Sequence, residues 1–322
     1  MGKYILKRIL LMIASLFIIM TMLFILIRLI PNQVQATQGG YDKALSDMRE
    51  AWGYNKPIMV QYGIFLKHVF TRFDWGFCTT MGTYLQPVTS YIAGRLPATI
   101  YINVLSLIIS VPLGIVLGIA AAVNKGKWQD GALQAFIMFF ISVPAFVYAF
   151  LLQYIVGFRL NLCPLIMKSG TDYFSWRMFR SAIMPVVALS LGPIAGDMRL
   201  VRAELTETLT SDYMLLARTK GLTRREATMR HAFRNSMVPL LPSYLADFIS
   251  ILGGSMIIEQ IFAVPGIGKT YVNSIMAKDY SVFLACSMFY VVIGLAAGII
   301  TDLSYGFIDP RIRMGGDKSN AL

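Results

Sequence analysis

Residues 263–270 come closest to a catalytic motif, because their sequence AVPGIGKT ends in Gly-Lys-Thr. A phosphate-binding loop has this ending, but it also needs a glycine at its first position, a strand before it and a helix N-terminus after it. Ala263 occupies the first position here, and a long apolar run precedes the segment. We therefore expect a tight turn rather than a nucleotide site, with Pro265, Gly266 and Gly268 bending the chain.

Cysteine and histidine, the usual metal ligands and nucleophiles, are rare in this chain. The sequence has three cysteines and two histidines, and no two cysteines have C-x-x-C spacing. A zinc site or a disulfide scaffold is therefore not expected, although a single disulfide between Cys78 and Cys163 stays open. No Ser-His-Asp or H-E-x-x-H motif is recognisable, so we expect no enzymatic activity in this chain.

The composition indicates a membrane protein. Of 322 residues, 56% are hydrophobic and only 14% are charged, whereas soluble domains average about 25% charged residues. The formal net charge of +12 would suit a nucleic-acid-binding protein. In a membrane protein it is explained by cytoplasmic loops rich in Lys and Arg, so we expect no nucleic acid partner.

Six segments are long and apolar enough to be membrane-spanning helices, which need about 20 residues each. Four of them carry no charge: Ile9–Ile27, Ala98–Val123, Ala132–Phe158 and Val282–Ile300. Two more, Ala182–Val201 and Met237–Ile258, contain prolines and an aspartate. The sequence thus predicts an all-α integral membrane protein with about six spans, which places both termini on the same side.

Lysine and arginine predict which side that is. They are concentrated before span one, between spans two and three, between spans four and five, and after span six, all on one side of a six-span arrangement. The positive-inside rule makes this side cytoplasmic. The expected organisation is a tail and first span at 1–30, an extracytoplasmic loop at 31–97 and a core at 98–322, with a cytoplasmic loop at about 199–235.

The first apolar run raises one alternative, a signal peptide cleaved after Ala36. We favour an uncleaved span, because the run is longer than a typical signal peptide core.

Three polar residues inside the predicted spans are candidates for a role in transport. Asp247 lies deep in span five, where a carboxylate is costly and usually faces a wet cavity or a partner. It either lines a transport pathway or makes a structural hydrogen bond, and the sequence leaves both open. Asn103 and Gln153 are candidate pathway residues too, with hydrogen bonding between helices as the alternative role. Glu259, near the outer end of span five, is expected to pair with a cation or to help receive a binding protein.

The loop at 199–235 carries clear helix signals. Ser211 can cap a short helix from Asp212 to Lys220, and Gly221 can close it in the left-handed conformation. Thr223 and Glu226 have the spacing of a capping box, which predicts a second helix from Arg224 to about Asn235.

The short helix is too short to be stable alone in water. Tyr213, Leu216 and Ala217 form its predicted apolar side, while Arg218 and Lys220 are charged. Something must cover the apolar side: either the bilayer surface or the cleft of a partner protein.

Residues 212–222, DYMLLARTKGL, resemble the signature loop of permease subunits of ABC importers, in particular the peptide, dipeptide and nickel branch. The resemblance continues at 230–235 and in weaker blocks at Asn55–Pro57, Gln61–Tyr62, 95–99, 262–268 and 309–313. One departure is Leu215-Leu216-Ala217, where the wider family often has Glu-Ala-Ala.

The resemblance implies the type I ABC importer permease fold, similar to the first ("B-type") peptide permease, in a bacterial inner membrane. It implies that the short helix docks on a separate ATPase subunit. The residues implied in coupling are Tyr213, Ala217, Arg218, Lys220, Gly221, Leu222, Thr223 and Glu226, and an outer turn is implied at Glu259, Phe262, Pro265, Gly266 and Gly268.

The implied partners are a homologous second permease subunit, two ATPase subunits that bind ATP and Mg, and an extracytoplasmic substrate-binding protein. The chain itself would hold no cofactor. Peptides are the expected substrate, with nickel chelates, glutathione or oligosaccharides as alternatives. A self-contained secondary transporter is less favoured, because it would show symmetry between its halves and paired intramembrane charges.

Overall fold

The computed structural model describes residues 2–30, 43–250 and 253–308. Helices dominate these ranges, and the described residues fall into two compact units. One unit is built from residues up to Pro97 together with Gly266–Leu295, and the other from Ala98–Pro265 together with the residues from Ala296 onward. The expected blocks at 309–313 and the alternative cleavage site at Ala36 lie outside the described residues.

In the first unit, α1 spans Gly2–Leu29, and three helices follow in the segment expected to form an outer loop. These are α2, Lys43–Ala51; α3, Ile58–Arg72; and α4, Val88–Ala93. Two further helices complete the unit: α14, Ile267–Met276, and the first part of α15, Tyr280–Ile308. The predicted loop at 31–97 is therefore largely a small helical layer where it is described.

The second unit begins with α5, Leu96–Val123, and its described residues contain the last part of α15 and nine complete helices. They are α5; α6, Trp128–Ser142; α7, Ala145–Leu152, continued by a π-helix at Gln153–Arg159; α8, Trp176–Leu209; α9, Asp212–Thr219; α10, Arg224–Ala227; α11, Phe233–Met237; α12, Leu241–Ser250; and α13, Met256–Ile261.

Four helical stretches are long and apolar enough to cross a membrane: Ile5–Leu29, Val88–Val123, Trp176–Leu209 and Tyr280–Ser304. They contain four of the predicted spans and extend beyond most of their predicted bounds. The predicted span Ala132–Phe158 is different, because α6 and α7 meet there at an angle of 102°. Pro144 follows the bend, and the residue before a proline is pushed out of the helical conformation. Val143 accordingly has extended angles (φ −84°, ψ 125°).

The prediction of one continuous helix at Met237–Ile258 is wrong. The chain there forms a 3₁₀ turn at Val238–Leu240, then α12, then α13 after a break. Pro239 and Pro242 remove backbone donors in this stretch, which disfavours a regular α-helix. Six membrane crossings with both termini on one side thus stay a prediction. In it, the crossing at Ala132–Phe158 would be bent and the crossing at Met237–Ile258 would be broken.

An aspartate fixes the loop before α4 in the first unit. Oδ2 of Asp279 accepts hydrogen bonds from the backbone N–H groups of Thr79, Thr80 and Met81 at 2.8, 3.0 and 3.1 Å. Asp279 is fully buried, together with the neighbouring Cys78 thiol. Burial, with the nearby Asp279 carboxylate adding to it, raises the pKa of Cys78 to about 12.

Close packing of α5 on α8 organises the second unit. A stripe of small buried residues recurs every four positions along α5, namely Ser106, Ser110, Gly114, Gly118 and Ala122. A Cβ atom added at Gly118 would lie 2.7 Å from Cβ of Val201 in α8. Small residues allow helix backbones to approach closely in a membrane, so this stripe fixes α5 against α8.

An ion pair joins the start of α6 to α8, at the residue after Val201. Nε of Arg202 lies 2.7 Å from Oδ1 of Asp130, and its NH2 group lies 2.9 Å from Oδ2. Asp130 is buried and also accepts the backbone N–H of Gly126 at 3.0 Å. This two-pronged contact is the strong geometry for an arginine and a carboxylate.

Candidate functional site

The C-terminal end of α9 closes with the predicted glycine. Gly221 has φ +91°, in the left-handed region. The N–H of Gly221 donates to the carbonyl of Arg218 at 3.0 Å, and the N–H of Leu222 donates to the carbonyl of Ala217 at 3.3 Å. Together these two bonds form a Schellman motif. The glycine prediction is therefore confirmed, with α9 ending at Thr219 and Lys220 as its cap.

At the other end of α9, the capping prediction is wrong in its detail. Ser211 occupies the N-cap position, but its side chain makes no capping hydrogen bond. Its hydroxyl donates instead to the carbonyl of Thr208 at 2.6 Å, at the end of α8. Serine readily bonds to a carbonyl three residues back, and here this bond ties the start of α9 to α8.

The buried side of α9 also differs from the prediction. Met214 and Ala217 are buried, with exposures of 4% and 7%, whereas Tyr213 and Leu216 are 39% and 56% exposed. The first pair belongs to a core that also contains Ala122 of α5 and Leu205 of α8. The apolar side predicted from Tyr213, Leu216 and Ala217 thus includes only one buried residue. Met214 was missed, although it lies three positions before Ala217 and so on the same face.

The outer face of α9, which we define as Tyr213, Leu215 and Leu216, stays exposed on the chain. Leu215 is 65% exposed, more than either of the other two. Arg218 and Lys220, which follow Leu216 along the chain, are also exposed. An apolar patch rimmed by cations is typical of a surface that contacts another molecule.

The capping box at the start of α10 is present in full. The N–H of Thr223 donates to Oε2 of Glu226 at 3.0 Å, and the N–H of Glu226 donates to Oγ1 of Thr223 at 3.3 Å. Hydrogen bonds from the Thr223 hydroxyl and backbone lower the pKa of Glu226. The predicted second helix exists, but it contains a π-helical turn at Thr228–Ala232 before α11.

The candidate pathway residues have different surroundings. Nδ2 of Asn103 donates to the carbonyl of Thr99 at 2.7 Å, within its own helix. Nε2 of Gln153 donates to the carbonyls of Leu165 and Ile261 at 2.9 and 3.0 Å, so it links the π-helix after α7 to α13. Gln153 therefore has a connecting contact, whereas the described bond of Asn103 is local.

Asp247 lies in α12 on an exposed position. It interacts electrostatically with Asp197, a buried carboxylate of α8, and Tyr244 interacts with both. Gly114 of α5 packs against Asp197, since an added Cβ would lie 2.5 Å from Cβ of Asp197. The sequence alone gives no sign that these two aspartates are near each other, because α8 and α12 are far apart along the chain.

The expected surface role of Glu259 does not fit its position. Glu259 is fully buried and accepts a hydrogen bond from Oγ1 of Thr99 at 2.9 Å. Gly254, with φ +62°, packs against it, since an added Cβ would lie 2.4 Å from Oε1 of Glu259. A side chain buried in this way holds α13 to α5 and offers no surface to a binding protein.

Ala263, which was not among the residues predicted to form the outer turn, makes it. Ala263 has φ +51°, and the N–H of Val264 donates to the carbonyl of Glu259 at 2.8 Å, which closes α13. Phe262 is fully buried, and its carbonyl accepts the N–H of Met167 at 2.8 Å. The turn residue Pro265 follows directly after this closure.

The expected bending glycines have helical roles instead. Gly266 is the N-cap of α14, with φ −106°, and Gly268 is buried inside that helix. The hydroxyl of Thr270 donates to the carbonyl of Gly266 at 2.8 Å. A helix, α13, precedes the Gly-Lys-Thr sequence in place of the strand that a phosphate-binding loop requires.

Family models match nearly the whole chain. Residues 114–314 match the inner membrane component of binding-protein-dependent transport systems, and residues 1–103 match the N-terminal region of such membrane components. The chain therefore belongs to this family of multi-pass inner membrane proteins, the permease subunits of ABC importers.

Curated relatives cover the full length. The chain is 39% identical over 98% of its length to the dipeptide transport system permease protein DppB of Lactococcus lactis, covering 100% of that protein. It is 33% identical to DppB of Bacillus subtilis, over 98% of this chain and 99% of that one. The oligopeptide transport system permease protein OppB of Haemophilus influenzae is 30% identical, over 97% of this chain and 100% of that one.

A solved structure shares the fold. A crystal structure of an amino acid ABC transporter with histidines matches with a TM-score of 0.52 at 18% identity, covering 67% of this chain and 92% of that one. The expected permease fold is thereby supported by an independent structure.

Proposed function

We propose that this chain is one permease subunit of an ATP-driven importer and that α9 couples it to an ATPase. The single observation that carries the proposal is that α9 is buried on one side and exposed on the other. Met214 and Ala217 are buried in the chain's own core, while Leu215 and Leu216 remain exposed on the opposite side. A helix held by one face and apolar on the other is suited to transmit force from a partner.

The inner contacts of α9 specify where that force goes. Met214 and Ala217 share a core with Ala122, at the end of α5, and Leu205, near the end of α8. Ser211 adds the hydrogen bond to Thr208. A displacement of α9 would therefore move the ends of two long helices together, because packed cores do not deform continuously.

The proposed docking surface combines the outer face of α9 with Arg218 and Lys220. The apolar residues would fill a cleft of the ATPase, and the two cations would meet acidic groups around it. Ala217, Gly221, Leu222, Thr223 and Glu226 would act indirectly, by holding α9 at a fixed angle through the Schellman motif and the capping box.

The proposed importer contains further subunits besides this chain. They are a homologous second permease subunit, two ATPase subunits that bind ATP and Mg, and an extracytoplasmic substrate-binding protein. ATP-driven closure of the ATPases would then switch the permease between states open to opposite sides. In this arrangement both termini and α9 face the cytoplasm, in accordance with the positive-inside rule.

The proposed substrates are dipeptides or oligopeptides. Support comes from the names of the relatives, two dipeptide permeases and one oligopeptide permease. Asp247, exposed on α12 with Asp197 near it, would offer negative charge to the amino group of a peptide. Nickel chelates, glutathione and oligosaccharides are the alternative cargoes for a permease of this branch.

Reconstitution tests the proposal. The chain would be incorporated into vesicles with the second permease subunit, both ATPases and the binding protein, and uptake of a labelled dipeptide measured with and without ATP. We expect uptake only in the complete, ATP-supplied system. Uptake by the chain alone would contradict the proposal and favour a secondary transporter.

A further inference from the structure

A cavity of about 460 Å³ lies in the first unit, beside the C-terminal end of α1. Arg28, Arg49 and Lys278 line it, together with Thr79 and Thr80. Its walls are aromatic and aliphatic: Phe24, Ile27, Trp52, Tyr54, Phe65, Trp75, Tyr280 and Leu284. This volume is within the range of about 300–1,000 Å³ typical of small-ligand sites.

The cavity is strongly unbalanced in charge. Three cationic side chains line it, and the described lining residues include no aspartate or glutamate. Nε of Arg49 is buried without a hydrogen-bond partner, and Arg28 stacks on Tyr54, with Cζ 3.8 Å from the ring centroid. A buried, unbonded guanidinium nitrogen is costly, so the site is built to receive an acceptor.

Two carboxylates close to the cavity in sequence bind other groups of the chain, although Oδ1 of Asp279 is buried without a hydrogen-bond partner among the described residues. Asp279 directs Oδ2 to three backbone N–H groups of residues 79–81. Asp74 accepts the N–H of Gly76 at 3.0 Å and contacts Nδ1 of His68 at 3.2 Å. Asp279 thus positions Thr79 and Thr80 at the cavity wall, and neither carboxylate lines the cavity itself.

The position of the cavity favours a lipid as the source of that acceptor. Ile27 of α1 and Ile30, directly after it, line the cavity. The adjoining face of α1 is strongly exposed, with Ile18, Met22, Leu26 and Leu29 between 57% and 63%. Residues Ile5–Leu29 are a membrane span by length and hydropathy. The cavity therefore lies where a span ends, and tryptophan and tyrosine are enriched at that level of a bilayer.

We propose that this cavity binds the phosphate of an anionic phospholipid through Arg28, Arg49 and Lys278, with the acyl chains along the exposed face of α1. The lipid would join α1, the helical layer of α2 and α3, and the start of α15. Binding would stabilise this unit in the membrane, independently of which substrate the importer carries.

Native mass spectrometry of the purified full-length chain tests the proposal, with dioleoyl phosphatidylglycerol as the probe. The variant Arg49→Gln/Lys278→Gln removes two cations that form no ion pair within the described residues. We expect its phosphatidylglycerol affinity to fall about fivefold for each cation removed. The matched control Lys67→Gln/Arg72→Gln has the same charge change on exposed positions of α3, outside the cavity, and is expected to bind like the wild type.

Two further probes identify the ligand chemistry. Dioleoyl phosphatidylcholine is expected to bind more weakly than phosphatidylglycerol, and glycerol 3-phosphate is expected not to compete for the site. Equal binding of the two lipids would overturn the anionic specificity, and competition by glycerol 3-phosphate at equal affinity would overturn the lipid source. Unchanged phosphatidylglycerol binding in the double variant, or an equal loss in the control, would overturn the site itself.

Discussion

The backbone N–H of Leu222 donates to the carbonyl of Ala217 across the end of α9, at 3.3 Å. The same Ala217 is packed into the core formed with α5 and α8. One residue therefore both ends the short helix and anchors it to two long ones. The outer face of α9 is consequently presented at a fixed angle.

Gly221→Ala tests the helix closure. At φ +91°, an alanine is strained by about 1–2 kcal/mol, which should loosen α9 and weaken ATPase binding about five- to thirtyfold. Co-purification of the ATPase subunits with the tagged permease measures this. Gly126→Ala is the matched control, because Gly126 has φ +81° and similarly open space but lies in the loop between α5 and α6. Equal losses in both variants would contradict the specific role of Gly221.

Met214→Ala and Leu216→Ala separate the two faces of α9. Met214 is buried, so its truncation should destabilise the chain by about 2–5 kcal/mol and lower its unfolding temperature. Leu216 is exposed, so its truncation should leave the unfolding temperature unchanged but reduce ATPase binding. Thermal unfolding in detergent and co-purification together measure both effects. A Leu216→Ala variant with undiminished ATPase binding would exclude the outer face as the docking surface.

Arg218→Gln/Lys220→Gln tests the charged rim. Charges at the rim of an interface mainly accelerate association and are screened by salt. We expect slower ATPase association than in the wild type at low salt, with the difference disappearing at about 1 M salt, where the screening length is about 3 Å. Lys125→Gln, at an exposed position of the α5–α6 loop, is the control. A salt-independent difference would contradict an electrostatic role.

Glu226 gives the capping box a pH dependence. Its pKa is lowered in the folded chain by the hydrogen bonds of Thr223, so the stabilisation is fully present above the unfolded value of about 4.3. It is lost as the pH falls through the lowered folded value. Hydrogen exchange of the peptide containing Thr223 should therefore show protection that declines below about pH 4. Glu226→Gln should remove this decline, and a decline that persists in that variant would assign it to another group.

Much of the fold could be predicted from apolar runs, because a span of about 20 apolar residues has few alternatives in a bilayer. The bend at Pro144 and the 3₁₀ turn after Met237 could not be predicted, since proline in a span is tolerated or disruptive according to its neighbours. The same holds for the site. The closure at Gly221 depends on local geometry and was predictable, whereas the burial of Met214 depends on where α5 and α8 lie.

The helix caps also include one feature that the sequence predicted correctly and one that it did not. Thr223 and Glu226 bond to each other, so their spacing was sufficient to predict the box. The side chain of Ser211 could either cap α9 or bond to the chain before it. Its hydroxyl donates to the carbonyl of Thr208. Glu259 was expected to pair with a cation or to help receive a binding protein, but it is buried and accepts a hydrogen bond from Thr99 of α5, a helix far away along the chain.

Photo-crosslinking from the outer face of α9 tests the central claim most directly. The photoreactive residue p-benzoylphenylalanine would replace Leu216 in the assembled importer in native membranes, and Ile108, an exposed residue of α5 (61%), would serve as the control position. We predict an adduct with the ATPase subunit from position 216 and none from position 108. An adduct with lipid alone at position 216 would contradict the account and place α9 on the bilayer surface.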